Sequence, residues 1–338
     1  VSTVGRGAAI FGCAGPELGA DETAFFRDYD PFGFILFARN IDNPDQVRSL
    51  CADLRASVGR NAPILVDQEG GRVQRLRPPH WQDWLPPLDL VQRAGDRAAR
   101  ALDLRYRLIA AELRAVGVDA NCAPCADVIG PHTHPFLANR CYGDTPAVVA
   151  HLARVVAEAH LAAGVLPVIK HLPGHGRSSV DTHHGLPVVT ANLAALQTTD
   201  FAPFRALSDL PMAMTAHLVF TALDPEHPAT QSPAAIRAIR QDIGFGGLLM
   251  TDDLNMQALT GSLADRAARS IAAGVDIALH CKGDLAEMQN VAGAAGDMAE
   301  STLARAAAAL LARRGNPPLD PAALQAELDA LLPGWPHA

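Results

Sequence analysis

Ala162-Ala163-Gly164-Val165-Leu166-Pro167-Val168-Ile169-Lys170-His171 is the stretch on which the fold of this chain turns. An alanine-rich helix end gives way to a glycine, then to a short apolar run, then to two ionisable residues. Glycine just past a helix reads as a left-handed C-terminal cap. An unbroken apolar run reads as a parallel strand covered on both faces. The same order recurs at Ala115-Val116-Gly117-Val118 and Ala272-Ala273-Gly274-Val275, and Ile109, Leu113 and Val116 keep helical spacing ahead of Gly117. Working outward, strands are expected over 8–13, 33–37, 64–67, 120–124, 165–170, 212–217, 247–252 and 276–280. Eight strand–helix units make a (β/α)8 TIM-type barrel, regular or irregular, with extra C-terminal helices over 299–313 and 321–332. The proline-rich stretch 77–88, with Trp81 and Trp84, reads as a long loop after the third strand. One barrel domain over residues 1–338 is expected.

Composition narrows the function. The 338 residues are 49% hydrophobic and carry 28 Lys+Arg against 36 Asp+Glu, a net charge of −8. That is enough apolar material for an ordinary core, and the acidic balance argues against a nucleic-acid partner. No apolar run approaches the roughly 18 to 20 residues that span a bilayer, so no membrane role is expected. Ile10-Phe11-Gly12-Cys13 loosely resembles a lipoprotein cleavage site, yet six residues separate Arg6 from Cys13. A signal core needs about 7 to 15, so a buried first strand is the better reading. Six cysteines are too few for a disulfide scaffold. Cys122-x-x-Cys125, near His132 and His134, lacks the second pair of a zinc site and reads as a strand end. A reducing cytoplasm is the expected location, and neither metal nor cofactor is expected.

Barrel chemistry gathers at the C-terminal strand ends. Those ends hold Asp67, Lys170-His171, His217, Asp252-Asp253 and His280. One polar strand end is ordinary capping; five point to a site. Lysine usage adds to this, because Lys170 and Lys282 are the only two lysines of the chain. Where arginine supplies nearly all positive charge, a lysine after the fifth strand suggests a task for a compact ammonium. Lys282, with only Asp284 beside it, reads as surface or rim. The segment from Lys170 to Gly176 is followed by Asp181-Thr182-His183 on a loop, where a carboxylate can orient an imidazole. That spacing is weak alone and gains weight beside a strand-end carboxylate.

Taken together, several motifs resemble family 3 glycoside hydrolases. They are Lys170 to Gly176 with Asp181-x-His183, Val66-Asp67-Gln68-Glu69-Gly70-Gly71-Arg72-Val73, Asn139-Arg140, Thr251-Asp252-Asp253-Leu254-Asn255-Met256, and Gly33-Phe34-Ile35-Leu36-Phe37-x-Arg39-Asn40. The resemblance covers roughly residues 8 to 282 and is nearest to the short bacterial β-N-acetylglucosaminidases of peptidoglycan recycling. Leu172, Cys141 and Tyr142 stand where Phe, Ser and Phe are expected, and the length leaves no room for the second α/β domain of many relatives. The resemblance implies Asp252 as nucleophile and His183 with Asp181 as acid/base pair. It implies Asp67, Arg75, Arg140, Lys170 and His171 as the residues that hold the sugar. The implied substrate is a GlcNAc-containing muropeptide; a monomer is plausible. Asp253 reads as structural, His175 and His184 as loop-shaping, His217 as a lesser pocket residue, and Gly174 and Gly176 as hinges. Glu69 reads as a residue that orients the Asp67 segment.

Three other readings compete on residues alone. Asp67, His171, His217 and Asp252 suit a metal-dependent barrel hydrolase, although the His-x-His common at the first strand of such enzymes is absent. Lys170 suits a Schiff base. A non-catalytic sugar-binding barrel is the third.

Overall fold

The computed structural model describes residues 4–179, 185–313 and 318–332. Eight short apolar runs form strands β1 (Gly7–Phe11), β2 (Pro31–Leu36), β3 (Ile64–Val66), β4 (Ala120–Asn121), β5 (Leu166–Leu172), β6 (Met212–Thr215), β7 (Leu248–Met250) and β8 (Ala278–His280). Every residue of these strands is buried, as a strand must be when side chains fill the barrel on one face and helices cover the other. The strands pair in parallel in the ring order β7-β6-β5-β4-β3-β2-β1-β8. A parallel bridge from Met250 to Ile277, with Thr251 N donating to Ile277 O at 3.0 Å, joins the two ends. The barrel closes there, directly below Asp252.

All eight expected strands are present. Gly164 (φ 79°) and Gly274 (φ 106°) adopt the left-handed conformation expected of glycine between a helix and the next strand. Long helices such as Pro44–Val58, Ala98–Ala115 and Pro146–Ala162 cover the first half of the ring. After β5 and β6 the cover breaks into shorter pieces, Leu193–Thr198, Ala202–Ala206 and Pro233–Arg237.

One strand departs from expectation in a way that matters. β4 was expected over 120–124, but its ladder ends at Asn121, and Pro124 has no N–H to continue it. Pairing resumes beyond it. Lys170 N donates to Pro124 O at 3.1 Å and Ala126 N to Lys170 O at 2.7 Å. The working end of the fourth strand is therefore Asp127, not Pro124.

The loop after β3 begins as a small antiparallel hairpin, Gln68–Gly70 with Val73–Gln74. It packs down through Trp84, whose Nε1 donates to Glu112 Oε2 at 3.2 Å. Burial pushes the Glu112 carboxyl up to about 7. Both expected C-terminal helices lie outside the ring, at Glu300–Ala312 and Pro321–Leu331. The second is tied to Ala98–Ala115 by a two-pronged ion pair from Arg100 to Glu327, at 2.7 and 2.6 Å. Among the described residues, no helix is long and apolar enough to cross a membrane. Cys13 is buried just past β1, where its carbonyl accepts from Asn40 Nδ2 at 3.0 Å.

Candidate active site

At the C-terminal face of the barrel a pocket is lined by Asp67, Arg75, Arg140, Lys170, His171, His175, Asp252 and Asp253. Its apolar wall includes Phe37, Phe136, Met214 and Met256. The strands bring Asp67, Lys170 and His171, and Asp252 there from β3, β5 and β7. Arg75 arrives on the hairpin, and Arg140 on the loop after β4. Six of the eight site residues expected from sequence thus line one cavity. Asp181 and His183 lie outside the described residues.

A charge network shapes the floor of this pocket. Lys170 Nζ donates to Asp67 Oδ1 at 3.0 Å and reaches Glu69 Oε1 at 2.6 Å. Arg75 Nη2 donates to Asp67 Oδ2 at 2.9 Å. Arg140 grips Glu69 with both prongs, Nε to Oε2 at 2.9 Å and Nη2 to Oε1 at 2.7 Å. Glu69 and Lys170 side chains are 1% and 3% exposed, so these charges persist only because each is paired. Burial alone would neutralise Glu69, but Arg140 and Lys170 outweigh it and hold the carboxyl at about 2. Asp67 is likewise held well below the carboxylate range, burial being outweighed by Lys170 and Arg75. Lys170 is driven the other way: burial favours the free amine, yet Asp67 and Glu69 keep the ammonium and raise its pKa above the usual lysine value. A lysine locked as a cation is a poor Schiff-base nucleophile. That weakens the Schiff-base reading.

Asp252 differs from its neighbours. It stands half-buried just beyond β7, and no ion pair engages it among the described residues. Its Oδ1 accepts the N–H of Asp253 at 2.8 Å. Burial opposes its charge, but His171 and His217, with that backbone bond, bring its pKa below the usual value. Among the described residues, no cation pairs directly with this carboxylate. Asp253 borders the same pocket, but its Oδ1 is occupied by the backbone N–H groups of Asn255 and Cys281, both at 3.1 Å. Its work is to tie the β7 end to the β8 end.

Two strand-end histidines are placed differently from the sequence expectation. His217 is buried behind Asp252, outside the pocket lining, with Nε2 on Asp253 O at 3.1 Å and Nδ1 on Thr230 Oγ1 at 2.8 Å. Burial lowers its pKa and favours the neutral ring. His280 faces out of the barrel to Glu287, at 3.0 Å, while Leu279 and Cys281 on either side border the pocket. The alternation of side chains along a strand explains this.

Two functional residues escaped the sequence reading in whole or part. Glu69 was assigned to the Asp67 segment, whereas it anchors Arg140 and Lys170. Asp127 was not singled out at all. It is fully buried, and its Oδ2 meets His171 Nδ1 at 2.8 Å. The available signal was an acid placed three residues past the assumed end of β4. Asp127, His171 and Cys125 are the only trio among the described residues whose ligand atoms converge as a metal would need, and they are already hydrogen-bonded to one another. Asp67, His217 and Asp252, the other members of the metal-hydrolase reading, do not join them. The two departures near Arg140 are accommodated: Tyr142 OH meets Tyr106 OH at 3.2 Å, and Cys141 Sγ contacts the Leu137 carbonyl at 3.4 Å.

Fold and site together define an enzyme of the (β/α)8 barrel class, with one carboxylate that no cation pairs with among the described residues beside a fixed set of cationic donors. A profile of the glycosyl hydrolase family 3 N-terminal domain matches residues 17–312. A beta-hexosaminidase of Methylococcus capsulatus is 37% identical over 278 residues, spanning 80% of this chain and 82% of that protein. One from Alkalilimnicola ehrlichii is 38% identical over 287 residues, 81% and 80% of the two chains. The structure of NagZ from Neisseria gonorrhoeae in complex with N-trifluoroacetyl-D-glucosamine superposes with a TM-score of 0.86 at 29% identity, over 98% of this chain and 100% of that one. The chain belongs to glycosyl hydrolase family 3 and is a glycoside hydrolase.

Proposed function

We propose that the chain is a retaining, exo-acting β-N-acetylglucosaminidase that releases terminal β-linked GlcNAc from GlcNAc-1,6-anhydroMurNAc muropeptides in the cytoplasm. The observation that carries this reading is the contrast between Asp252 and its neighbours: Asp67, Glu69 and Asp127 are paired with cations or an imidazole, and among the described residues Asp252 is not. In this reading Asp252 attacks C1 of the sugar, the C1–oxygen bond to the leaving group breaks, and an ester links C1 to Asp252. Water then hydrolyses that ester, and two inversions leave the β-configuration unchanged. The leaving oxygen needs a proton. Glu69, the nearest alternative donor, is an anion at neutral pH because Arg140 and Lys170 hold it so. That supports His183, oriented by Asp181, as the acid/base, an assignment that rests on the motif. Asp67, Arg75, Arg140, Lys170 and His171 hold the non-reducing sugar. Relatives named beta-hexosaminidase, and a neighbour carrying an N-acylated glucosamine, support the choice of sugar.

The test uses aryl β-glycosides that differ at the 2-position, together with a 2-fluoro sugar that lacks the acetamido group. Fastest release from the N-acetyl compound and an intact-mass adduct on Asp252 are expected, with the adduct lost in Asp252→Asn. Normal turnover without any adduct would reject the nucleophile assignment. Preference for an unsubstituted glucoside would reject the substrate class.

A further inference from the structure

We propose that Asp127 is a positioning residue, whose carboxylate fixes the tautomer of His171 and so decides which hydrogen-bonding group the ring offers to the sugar. The proposal rests on the sugar-binding reading of the pocket. Asp127 is fully buried, and its contacts divide between its two oxygens. Oδ1 accepts backbone N–H groups, from His175 at 2.6 Å and from His171 at 3.4 Å. Oδ2 faces His171 Nδ1 at 2.8 Å and the Cys125 thiol at 3.2 Å. Burial works against the charge on Asp127, but the hydrogen bonds from His171 and from the His175 N–H favour the anion, and the carboxyl lies well below the usual range. An ionised carboxylate has no proton to give. Nδ1 must therefore be the donor, and in the neutral form of the ring the lone pair is on Nε2.

That nitrogen is left for the pocket that His171 lines. Of the other side chains around it, Arg75, Arg140 and Lys170 can only donate, and Asp67 and Asp252 accept as anions. An accepting Nε2 gives a sugar hydroxyl a neutral acceptor beside these charged groups. Asp127 thus acts through His171, and does so from outside the reach of the sugar. Its Oδ1 also pins the chain at His175, where the segment leading to residue 180 begins.

Asparagine separates these two duties. Oδ1 of the substitute must stay on the two backbone N–H groups, which places the amide NH2 against His171 Nδ1. An NH2 can only donate, so Nδ1 becomes the acceptor and the ring proton moves to Nε2. Asp127→Asn keeps the backbone clamp and reverses the ring.

The experiment is ¹⁵N NMR of histidine-labelled enzyme at neutral pH, with the His171 signals assigned by their loss in His171→Gln. Wild type is expected in the Nδ1–H form and Asp127→Asn in the Nε2–H form. Hydrolysis of an aryl N-acetylglucosaminide should fall about 10- to 100-fold in kcat/KM in Asp127→Asn, by analogy with the loss of the partner that orients a metal-bound imidazole. In a His171→Gln background the same substitution should cost nothing further. A wild-type Nε2–H tautomer overturns the proposal, as does a reversed tautomer with unchanged kinetics or an equal loss in the His171→Gln background. Should Asp127→Asn not fold, the wild-type tautomer alone decides. A wild type inactive on this substrate would reject the sugar reading while leaving the tautomer measurement intact.

Discussion

Replacing Glu69 by glutamine removes a negative charge from the most deeply paired carboxylate of the pocket while keeping its shape. In the wild type this carboxyl lies at about 2 instead of its ordinary 4.5, burial being outweighed by Arg140 and Lys170. A depressed carboxylate pKa means that the unfolded chain binds the proton more readily. The stability it contributes is fully present above about pH 4.5 and is lost as pH falls toward 2. At 1.36 kcal/mol per unit, the whole contribution is about 3 kcal/mol. Of this, about 2 kcal/mol is lost between pH 5 and pH 3. At neutral pH, Glu69→Gln leaves Arg140 and part of Lys170 without a counter-charge in a buried site, which should cost about 3 to 5 kcal/mol. The assay is urea unfolding of both proteins at several pH values from 3 to 7. The wild-type curve should fall more steeply on the acid side, so that the two stabilities converge by about 2 kcal/mol as pH drops from 5 to 3. Parallel curves, separated by a constant amount over that range, would refute the argument that Glu69 is held ionised by its partners.

Three further outcomes are expected. All six cysteines are buried, and burial pushes the Cys13 and Cys51 thiols up to about 12; a thiol reagent should therefore react slowly with the native enzyme and promptly with all six after denaturation, and fast native labelling of any thiol would contradict that packing. Glu112 accepts from Trp84 and its carboxyl lies near 7 because of burial. A raised pKa gives stability that is held below the ordinary value of 4.5 and lost as pH rises through about 7; Trp84 fluorescence should shift with a midpoint near 7, and a shift that survives Glu112→Gln would assign it elsewhere. At Gly176 an added Cβ would lie 1.9 Å from the Val128 carbonyl oxygen, so Gly176→Ala should lower stability by about 1 to 3 kcal/mol; an unchanged thermal midpoint would show that this approach is not as close as described.

The eight strands were legible because each carries its own local signature, an apolar run entered from a turn and left through polar residues. The pocket was legible where it depended on strand ends, as with Asp67, Lys170 and Asp252. Asp127 was hidden because Pro124 interrupts the ladder and pairing resumes beyond it, which local pattern does not reveal. The office of Glu69 was hidden for another reason: its partner Arg140 is 71 residues away, and only the closed ring brings them together. His280 shows the opposite error. It ends an apolar run and looks like its catalytic-face neighbours, yet the alternation of the strand turns it to the helix side. Gly176, expected with Gly174 as a hinge, also meets a steric demand that the sequence does not show, its close approach to Val128.

The scarcity of lysine has a practical side. Of the two in the chain, Lys170 is sealed among carboxylates, while Lys282 is 57% exposed and pairs with Glu287 at 2.7 Å. Lys282 directly follows Cys281, a residue of the pocket wall. Amine-directed conjugation therefore has a single accessible lysine side chain to find, at the rim of the opening. A fluorophore coupled there becomes a reporter of occupancy without any engineered cysteine. Coupling to a solid support through that same amine would turn the opening toward the matrix and throttle the passage of anything larger than a small glycoside.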